Sequence, residues 1–453
     1  MKINVLVAEI GSTTTVVNGF QDIHSSCPKF LGQGQAPTSV AAGDVNIGLK
    51  AAIDDLAKNL GVEELQYDEM LATSSAAGGL KMTVHGLVYD MTVRAAKEAA
   101  LGAGAIIHQV TAGRLKRTDL KRIQEIKPNI ILIAGGVDYG ERDTAIYNAE
   151  KIAELNLRIP VIYAGNVENQ EEIKEIFQDT EVKLYLVENV YPKIDQLNIE
   201  PTRRVIQDVF EEHIIHAPGM TKVRNLVNGP IIPTPGAVME ASKLLKEKLG
   251  DLITFDVGGA TTDLHSVTEG SEEISRILIS PEPIAKRTVE GDLGVYVNML
   301  NIVERIGKEK LKEELSTDIE ELIENHEPIP KTPVQKKFVE VLTREAVLSA
   351  LDRHVGKIRH LYGPGGKTTI AEGKDLSSVK YIVGTGGALT RLPRGVEILK
   401  EATLKNLQNK LNPTEDAVVL VDHDYIMASL GVLSKRYPEA ALLLMMESLR
   451  LKE

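Results

Sequence analysis

The stretch DLITFDVGGATTDLHSV, residues 251–267, runs as an apolar strand, breaks at two glycines and two threonines, and resumes as a second apolar strand. A weaker echo, VLVAEIGSTTTVVNGF, occupies residues 5–20. In both, an acidic residue ends the first apolar run, glycine follows two positions later, and small hydroxyl side chains lead into the next run. The pattern is that of a β-hairpin with a glycine-bearing turn. One such turn is ordinary. Two matched turns suggest paired elements that face one ligand.

The chemistry that suits these turns is phosphate binding. Glycine lets the backbone approach, successive N–H groups form an anion-binding concavity, and Ser or Thr hydroxyls add donors without altering charge. The first hairpin offers Gly11, Ser12, Thr13 and Thr14. The second offers Gly258, Gly259, Thr261 and Thr262, with Asp263 trailing. Glu9 and Asp256 stand just before the glycines, where a carboxylate can sit beside a cation or an attacking water; both are catalytic candidates. Mg²⁺ favours one or two carboxylates together with waters and phosphate oxygens. A third turn, VGTGGALTRL at 383–392, sets Gly384, Gly386 and Gly387 between a strand and a helix, a flat backbone surface for ribose or base. Any one of these turns alone is only a turn; the ordered series of three carries the reading.

The rest of the chain bounds that reading. At 453 residues it is too long for one ordinary core, so two or three domains are expected. Hydrophobic content of 43% and charged content of 26% are those of a globular protein. With no Trp, 4% aromatic residues and a net charge of −12, neither a base-stacking platform nor a nucleic-acid surface is expected. The single cysteine, Cys27, excludes an internal disulfide framework and a cysteine-rich metal site, and it fits a reducing compartment. No apolar run reaches the roughly 18 residues of a membrane span. The N-terminal MKINVLVAEIGSTTT lacks the layout of a signal peptide, so a cytoplasmic protein is expected. Homo-oligomerisation is left open.

Periodicity fills in the architecture. Residues 3–8 and 15–20 read as strands, KFLGQGQAPTSV as a third, GDVNIGLKAAIDDLAKNLG as a capped helix, and EMLATSSAAGGL as a strand with a small-residue turn. GLVYDMTVRAAKEAALGAGA reads as a helix. After it, NIILIAGGVDYG, PVIYAGNV and VKLYLVENV read as short strands that alternate with helices, which implies a small parallel sheet. The spacing predicts helices at PTPGAVMEASKLLKEKLG and VLTREAVLSALDRHVGKIRHLYG, and a solvated amphipathic helical region over 302–326. The expected domains are residues 1–84, an inserted α/β subdomain at 85–230, and residues 231–453.

The series EIGSTTT, DVGGATTD and GTGGAL resembles the first phosphate, second phosphate and adenosine motifs of the actin, sugar-kinase and heat-shock ATPase superfamily. That resemblance covers residues 1–80 and 250–435. It implies an α/β fold of two ribonuclease-H-like domains around a nucleotide cleft, with Mg-ATP as cofactor and the 85–230 insert outside the pattern. Glu9 departs from it, since the family usually carries aspartate there. Asp256 matches the aspartate that orients water or reaches Mg²⁺ indirectly, and Asp292 in TVEGDLGVYVN is a candidate near the nucleotide. A closer resemblance runs through EIGSTTT, GQGQAPTSV, ATSSAAGGLKMTVHGLV, AGGVDYGERD, DVGGATTDLHSV, RTVEGDLGV and GTGGALTR. Together they are similar to the GlmL family, the L component associated with glutamate mutase. This implies an ATP-dependent reactivating chaperone whose protein partner is an adenosylcobalamin-dependent mutase and whose task is to expel damaged cobalamin.

Two other functions fit the same fold. A small-molecule kinase needs an acceptor pocket, and no convincing one is legible. A nucleotide-switched, actin-like scaffold needs polymer contacts, and none is obvious. No DxHxxG cobalamin-ligand signature is present. NIILIAGGVDYGERD lacks GxGxxG and reads as a tight strand-to-helix turn; the alternative is that its subdomain contacts the mutase or the mutase's cofactor domain.

Overall fold

Strand β1, Lys2–Ile10, is apolar almost throughout and buried from Val5 to Ile10, as expected of a central strand covered on both faces. It pairs antiparallel with β2 (Thr14–Gln21), which pairs antiparallel with β3 (Lys29–Pro37). On its other side β1 runs parallel to β4 (Gln66–Ser74), and β4 to the short β10 (Ile231–Pro233). The computed structural model describes all residues except 1, 12–13, 40–43, 76–79, 215–219, 230, 364–365, 405–408 and 452–453. The chain divides into two units, Met1–Ala237 with Gly431–Ala440, and Val238–Leu430 with Ala441–Glu453.

The second unit repeats this plan. Strand β11 (Leu252–Val257) is antiparallel to β12 (Thr262–Val267), and β12 to β13 (Ala285–Glu290). Strand β11 is also parallel to β16 (Tyr381–Thr385), and β16 to β17 (Val418–Val421). Both sheets therefore have three antiparallel strands followed by two parallel ones, the ribonuclease-H-like order, so the expected α/β fold class is the one observed. The helix Val45–Asn59 covers one face of the first sheet through Leu49, Ala52 and Leu56; Asp44 caps it by accepting from Asn46 N. In the second unit the long helix Pro333–His354 begins at a Thr332/Gln335 capping box and buries Phe338, Leu342 and Val347 against the sheet side chains.

Between β4 and β10 lies the inserted parallel subdomain. Its strands are β5 (Leu80–Gly86), β6 (Ala105–Ala112), β7 (Ile130–Ile133), β8 (Val161–Tyr163) and β9 (Leu184–Leu186), in the order β6-β5-β7-β8-β9. This is a doubly wound sheet. Helices cover both faces: Ala95, Ala96 and Ala99 pack with Val84, Leu132 and Ile162, whereas Ile123, Ala149, Ile152, Ile173 and Phe177 pack with Ile131, Ile133, Val161 and Tyr163. Three helices stand where the sequence indicated a charged helical region: Met299–Ile306, Lys308–Leu315 and Ile319–Glu324, interrupted at the positive-φ residues Gly307 and Ser316. The helix expected to reach Gly363 stops at His354; the remainder forms β14 (Lys357–Gly363), paired with β15 (Gly366–Glu372). Among the described residues no helix is long and apolar enough to cross a membrane.

Candidate nucleotide-binding site

The two glycine turns close with the same hydrogen bond. Gly258 N donates to Thr261 O at 2.9 Å, and Gly11 N donates to Thr14 O at 3.0 Å. Each turn links the central strand of its sheet to the next antiparallel strand. Glu9 pairs with Thr73 across the parallel ladder, as Asp256 does with Thr385. The candidate carboxylates are thus equivalent positions in two copies of the same sheet. Ser12 and Thr13 lie outside the described residues.

In the second unit a segment after β13 turns the hairpin's carbonyls inward. Val295 N donates to Gly258 O (3.2 Å), Tyr296 N and Val297 N to Gly259 O (2.9 and 2.8 Å), and Asn298 Nδ2 to Ala260 O (2.8 Å). The N–H groups of Gly259, Ala260 and Thr261 have no backbone acceptor among the described residues. Carbonyls tied back and amides left over are what an anion-binding turn requires. The segment can come this close because of Gly294, where a Cβ would lie 2.3 Å from Ala260 C and O. Thr262, fully buried, donates its hydroxyl to Leu293 O at 2.7 Å and fixes the same segment from below. In the first unit Thr38 does comparable work: its Oγ1 donates to Gly11 O at 2.9 Å and lies 2.9 Å from Thr15 Oγ1.

The third turn closes against the second. Gly386 has φ +86°, and a Cβ there would sit 2.5 Å from Val257 O, 2.6 Å from Val257 N and 2.7 Å from Asp256 Oδ1. The end of the GTGG turn and the Asp256 carboxylate are therefore in direct apposition. Gly387 is different: nothing lies within 4 Å of its Cβ position. Gly384 is buried under Leu389 and Leu399. Thr385 Oγ1 donates to Asp422 Oδ2 at 2.9 Å, and burial pushes the Asp422 carboxyl up, opposed by donors that include Ser448 Oγ and the N–H groups of Met427 and Ile426.

The remaining candidates have identifiable partners. Asp263 is buried, receives Arg287 Nη2 at 2.6 Å and Nε at 2.9 Å, and accepts from Thr261 Oγ1 at 3.0 Å. It sits directly opposite Asp256 on the antiparallel ladder, so Arg287 supplies the charge that lets two carboxylates be neighbours. Asp292 takes both terminal nitrogens of Arg353, at 2.6 and 2.7 Å, which holds its carboxyl below the ordinary aspartate range. Arg353 also reaches Glu290 at 2.5 Å; there burial wins and the carboxyl is raised. Both ion pairs lie on the N-terminal side of the segment that braces the Gly258 turn, Asp263 through Arg287 on β13 and Asp292 just before Gly294. Glu9 is buried, 3.4 Å from Asn18 Nδ2. Among the described residues no three His, Cys, Asp or Glu side chains converge to hold a metal ion. A magnesium ion carried in by phosphates needs less than that, since it keeps several of its own waters.

A family model described as "MutL protein" matches residues 5–449. The chain belongs to the MutL family. It is 36% identical over 455 residues to Protein MutL of Clostridium tetanomorphum, covering 97% of this chain and 98% of that one. Among solved structures, nucleotide-free acetone carboxylase aligns over 95% of this chain and 70% of its own, at 13% identity and a TM-score of 0.43. A diol dehydratase-reactivating factor in nucleotide-free form aligns over 96% and 100%, at 11% identity and a TM-score of 0.38. At these scores neither structure bears on what the MutL-family chain does.

What periodicity and turn chemistry leave unseen in this MutL-family site is its brace. Gly294, Val295–Val297 and Asn298 act mostly through backbone N–H groups, which no side chain announces. The available signal was GDLG at 291–294, a second glycine cluster that starts 35 residues after the start of the DVGG motif.

Proposed function

We propose that this MutL-family chain is an ATPase that reactivates an adenosylcobalamin-dependent mutase of the glutamate mutase or aminomutase type. The observation that carries the ATPase reading is the apposition of Asp256, the amide-bearing Gly258–Thr261 turn and Gly386 at one sheet edge. The step from ATPase to reactivase, and to glutamate mutase in particular, rests on the motif series similar to the GlmL family, which spans both units and the inserted subdomain.

Bound Mg-ATP would supply a transferable phosphoryl group and the cation that offsets its charge. The residues of this chain do the positioning. Amides of Gly259, Ala260 and Thr261 donate to phosphate oxygens, and the Gly386–Gly387 backbone forms the seat for adenosine. Asp256 accepts a hydrogen bond from the attacking water and orients it. Arg287, through Asp263, keeps a second negative charge from crowding Asp256.

The test is phosphate release from Mg-ATP by wild type, Asp256→Asn and Glu9→Gln, with and without cobalamin-inactivated glutamate mutase. Turnover that rises with the mutase and falls at least a hundredfold in Asp256→Asn supports the reading, within the range of about 10²–10⁴ for a positioned acid or base. Tight ATP binding without turnover in any mixture removes the ATPase and leaves a nucleotide-switched binding protein. Phosphorylation of an added small-molecule acceptor would instead identify a kinase.

A further inference from the structure

The carboxyl edge of the parallel sheet takes no part in the nucleotide turns, yet four of its five strands end in loops that place apolar side chains in solvent. These are Val88 and Tyr89 after β5, Tyr139 after β7, Val167 after β8 and Ile194 after β9. The strands are parallel, so the four loops share one edge in the order β5-β7-β8-β9. With neighbouring strands about 4.8 Å apart, the strip is about 15 Å long. Tyr139 and Ile194 are 80% and 70% exposed.

The loops beneath the strip are stitched together. Asn166 accepts from Tyr139 N at 3.1 Å and donates to Gly140 O at 3.3 Å. Asn189 donates to Gly136 O at 3.1 Å and to Asp138 Oδ1 at 2.9 Å, and the same oxygen accepts from Val167 N at 3.0 Å. Both asparagines are buried. Tyr139 has φ +62°, a left-handed conformation that is an outlier for a bulky residue. Its fixed loop holds this strain while the ring contributes little to the subdomain's own core, an arrangement that belongs to binding sites more than to packing. The connections at 87–93, 134–143, 164–170 and 187–199, two of which include a short helical turn, carry seven acidic side chains against two basic ones.

We infer that this strip is the surface on which the client mutase docks, and that the mutase meets it with an apolar patch flanked by Lys and Arg. The inference rests on the reactivase reading above. Rigid aromatic anchors inside a charged rim give affinity at the centre and salt-dependent association at the edge.

The experiment is a titration of cobalamin-inactivated glutamate mutase against wild type and a Tyr139→Asn/Ile194→Ser double variant, at low and at high salt. Asparagine tolerates the left-handed backbone of position 139. The expected result is at least tenfold weaker mutase binding by the variant, unchanged ATP affinity, and wild-type binding that weakens with salt. Asp90→Lys, an exposed rim change, should also weaken binding, and it keeps the test readable if the double variant fails to fold. If wild type binds the mutase and the folded variants bind it equally well, the docking assignment is wrong and the reactivase reading stands. If wild type does not bind the mutase in any nucleotide state, the reactivase reading falls and the docking surface falls with it.

Discussion

Replacing Gly386 by alanine should damage this protein in a way that Gly387→Ala does not. Gly386 combines φ +86° with ψ 146°, a region that is essentially glycine's own, so alanine there costs about 1–3 kcal/mol in backbone strain. The added methyl would also lie 2.5–2.7 Å from Val257 N and O and from Asp256 Oδ1, and two of those atoms are backbone. Overpacking of that kind typically adds about 1–3 kcal/mol. The methyl can be accommodated only if β16 retreats from β11, or if the strand end that holds Asp256 shifts. The first response appears as lost stability and the second as lost nucleotide affinity, where 1.4 kcal/mol is about tenfold in Kd. Calorimetric melting together with titration of a non-hydrolysable ATP analogue measures both, and at least about 2 kcal/mol in total should be missing. Gly387 lies in open space, so its alanine variant should melt as wild type does and lose affinity only through obstruction of the adenosine seat. Gly386→Ala within about 0.5 kcal/mol of wild type by both measures, the range of an ordinary surface change, would refute the apposition on which the site is built.

Arg287→Leu strands the buried Asp263 carboxylate beside Asp256 and should lower the stability of the second unit by about 3–5 kcal/mol in denaturant melts, whereas Asp263→Leu/Arg287→Leu should recover much of it. Acid should destabilise both units. His85, held to about 3, and His265 and His354, both well below 6.5, are kept neutral chiefly by burial. The unfolded chain takes up their protons first, so stability is full above pH 6.5 and falls as pH drops below it, by about 1.4 kcal/mol per histidine per pH unit. Neither ring nitrogen of His265 has a hydrogen-bond partner among the described residues, so His265→Leu should flatten the second unit's pH slope at little cost in stability at neutral pH. Glu9→Gln keeps the geometry of the Asn18 contact and should reduce turnover less than tenfold; a loss matching that of Asp256→Asn would return Glu9 to the chemistry.

The hairpins were legible because their chemistry is local: an acid, a glycine and hydroxyls within a few positions, flanked by apolar runs long enough to be central strands. The parallel sheet was only partly so. Strands β7, β8 and β9 announce themselves as apolar runs, but β5, LKMTVHG, hides His85 and Thr83 among its apolar residues. Both are fully buried, satisfied by a contact to each other at 3.0 Å and by Thr111 at 2.8 Å, so tertiary partners make a polar-looking segment into a core strand. The β14–β15 hairpin was lost in the other direction. Helical periodicity runs on past His354, although Val355 already has an extended backbone and Gly356 packs against Gly373. In the site itself the motif glycines could be read, but Arg287 and Arg353 could not be assigned to Asp263 and Asp292, since those pairs form across the fold.

Two sheets of one plan carry two turns that close with the same hydrogen bond, and the differences between them are where function can be sought. In the first unit the carboxylate is a glutamate, buried and hydrogen-bonded by Asn18, and among the described residues Thr38 braces the turn. In the second it is an aspartate set against a glycine turn, beside a neutralised carboxylate, with four consecutive residues of a separate segment holding the turn's carbonyls. Heavier bracing serves a turn whose amides must hold still as charge develops opposite them, because electrostatic stabilisation depends on dipoles that need not reorganise. A turn that only grips tolerates more give. On this difference water activation is proposed for Asp256, and the turnover of Glu9→Gln measures what share Glu9 has in it.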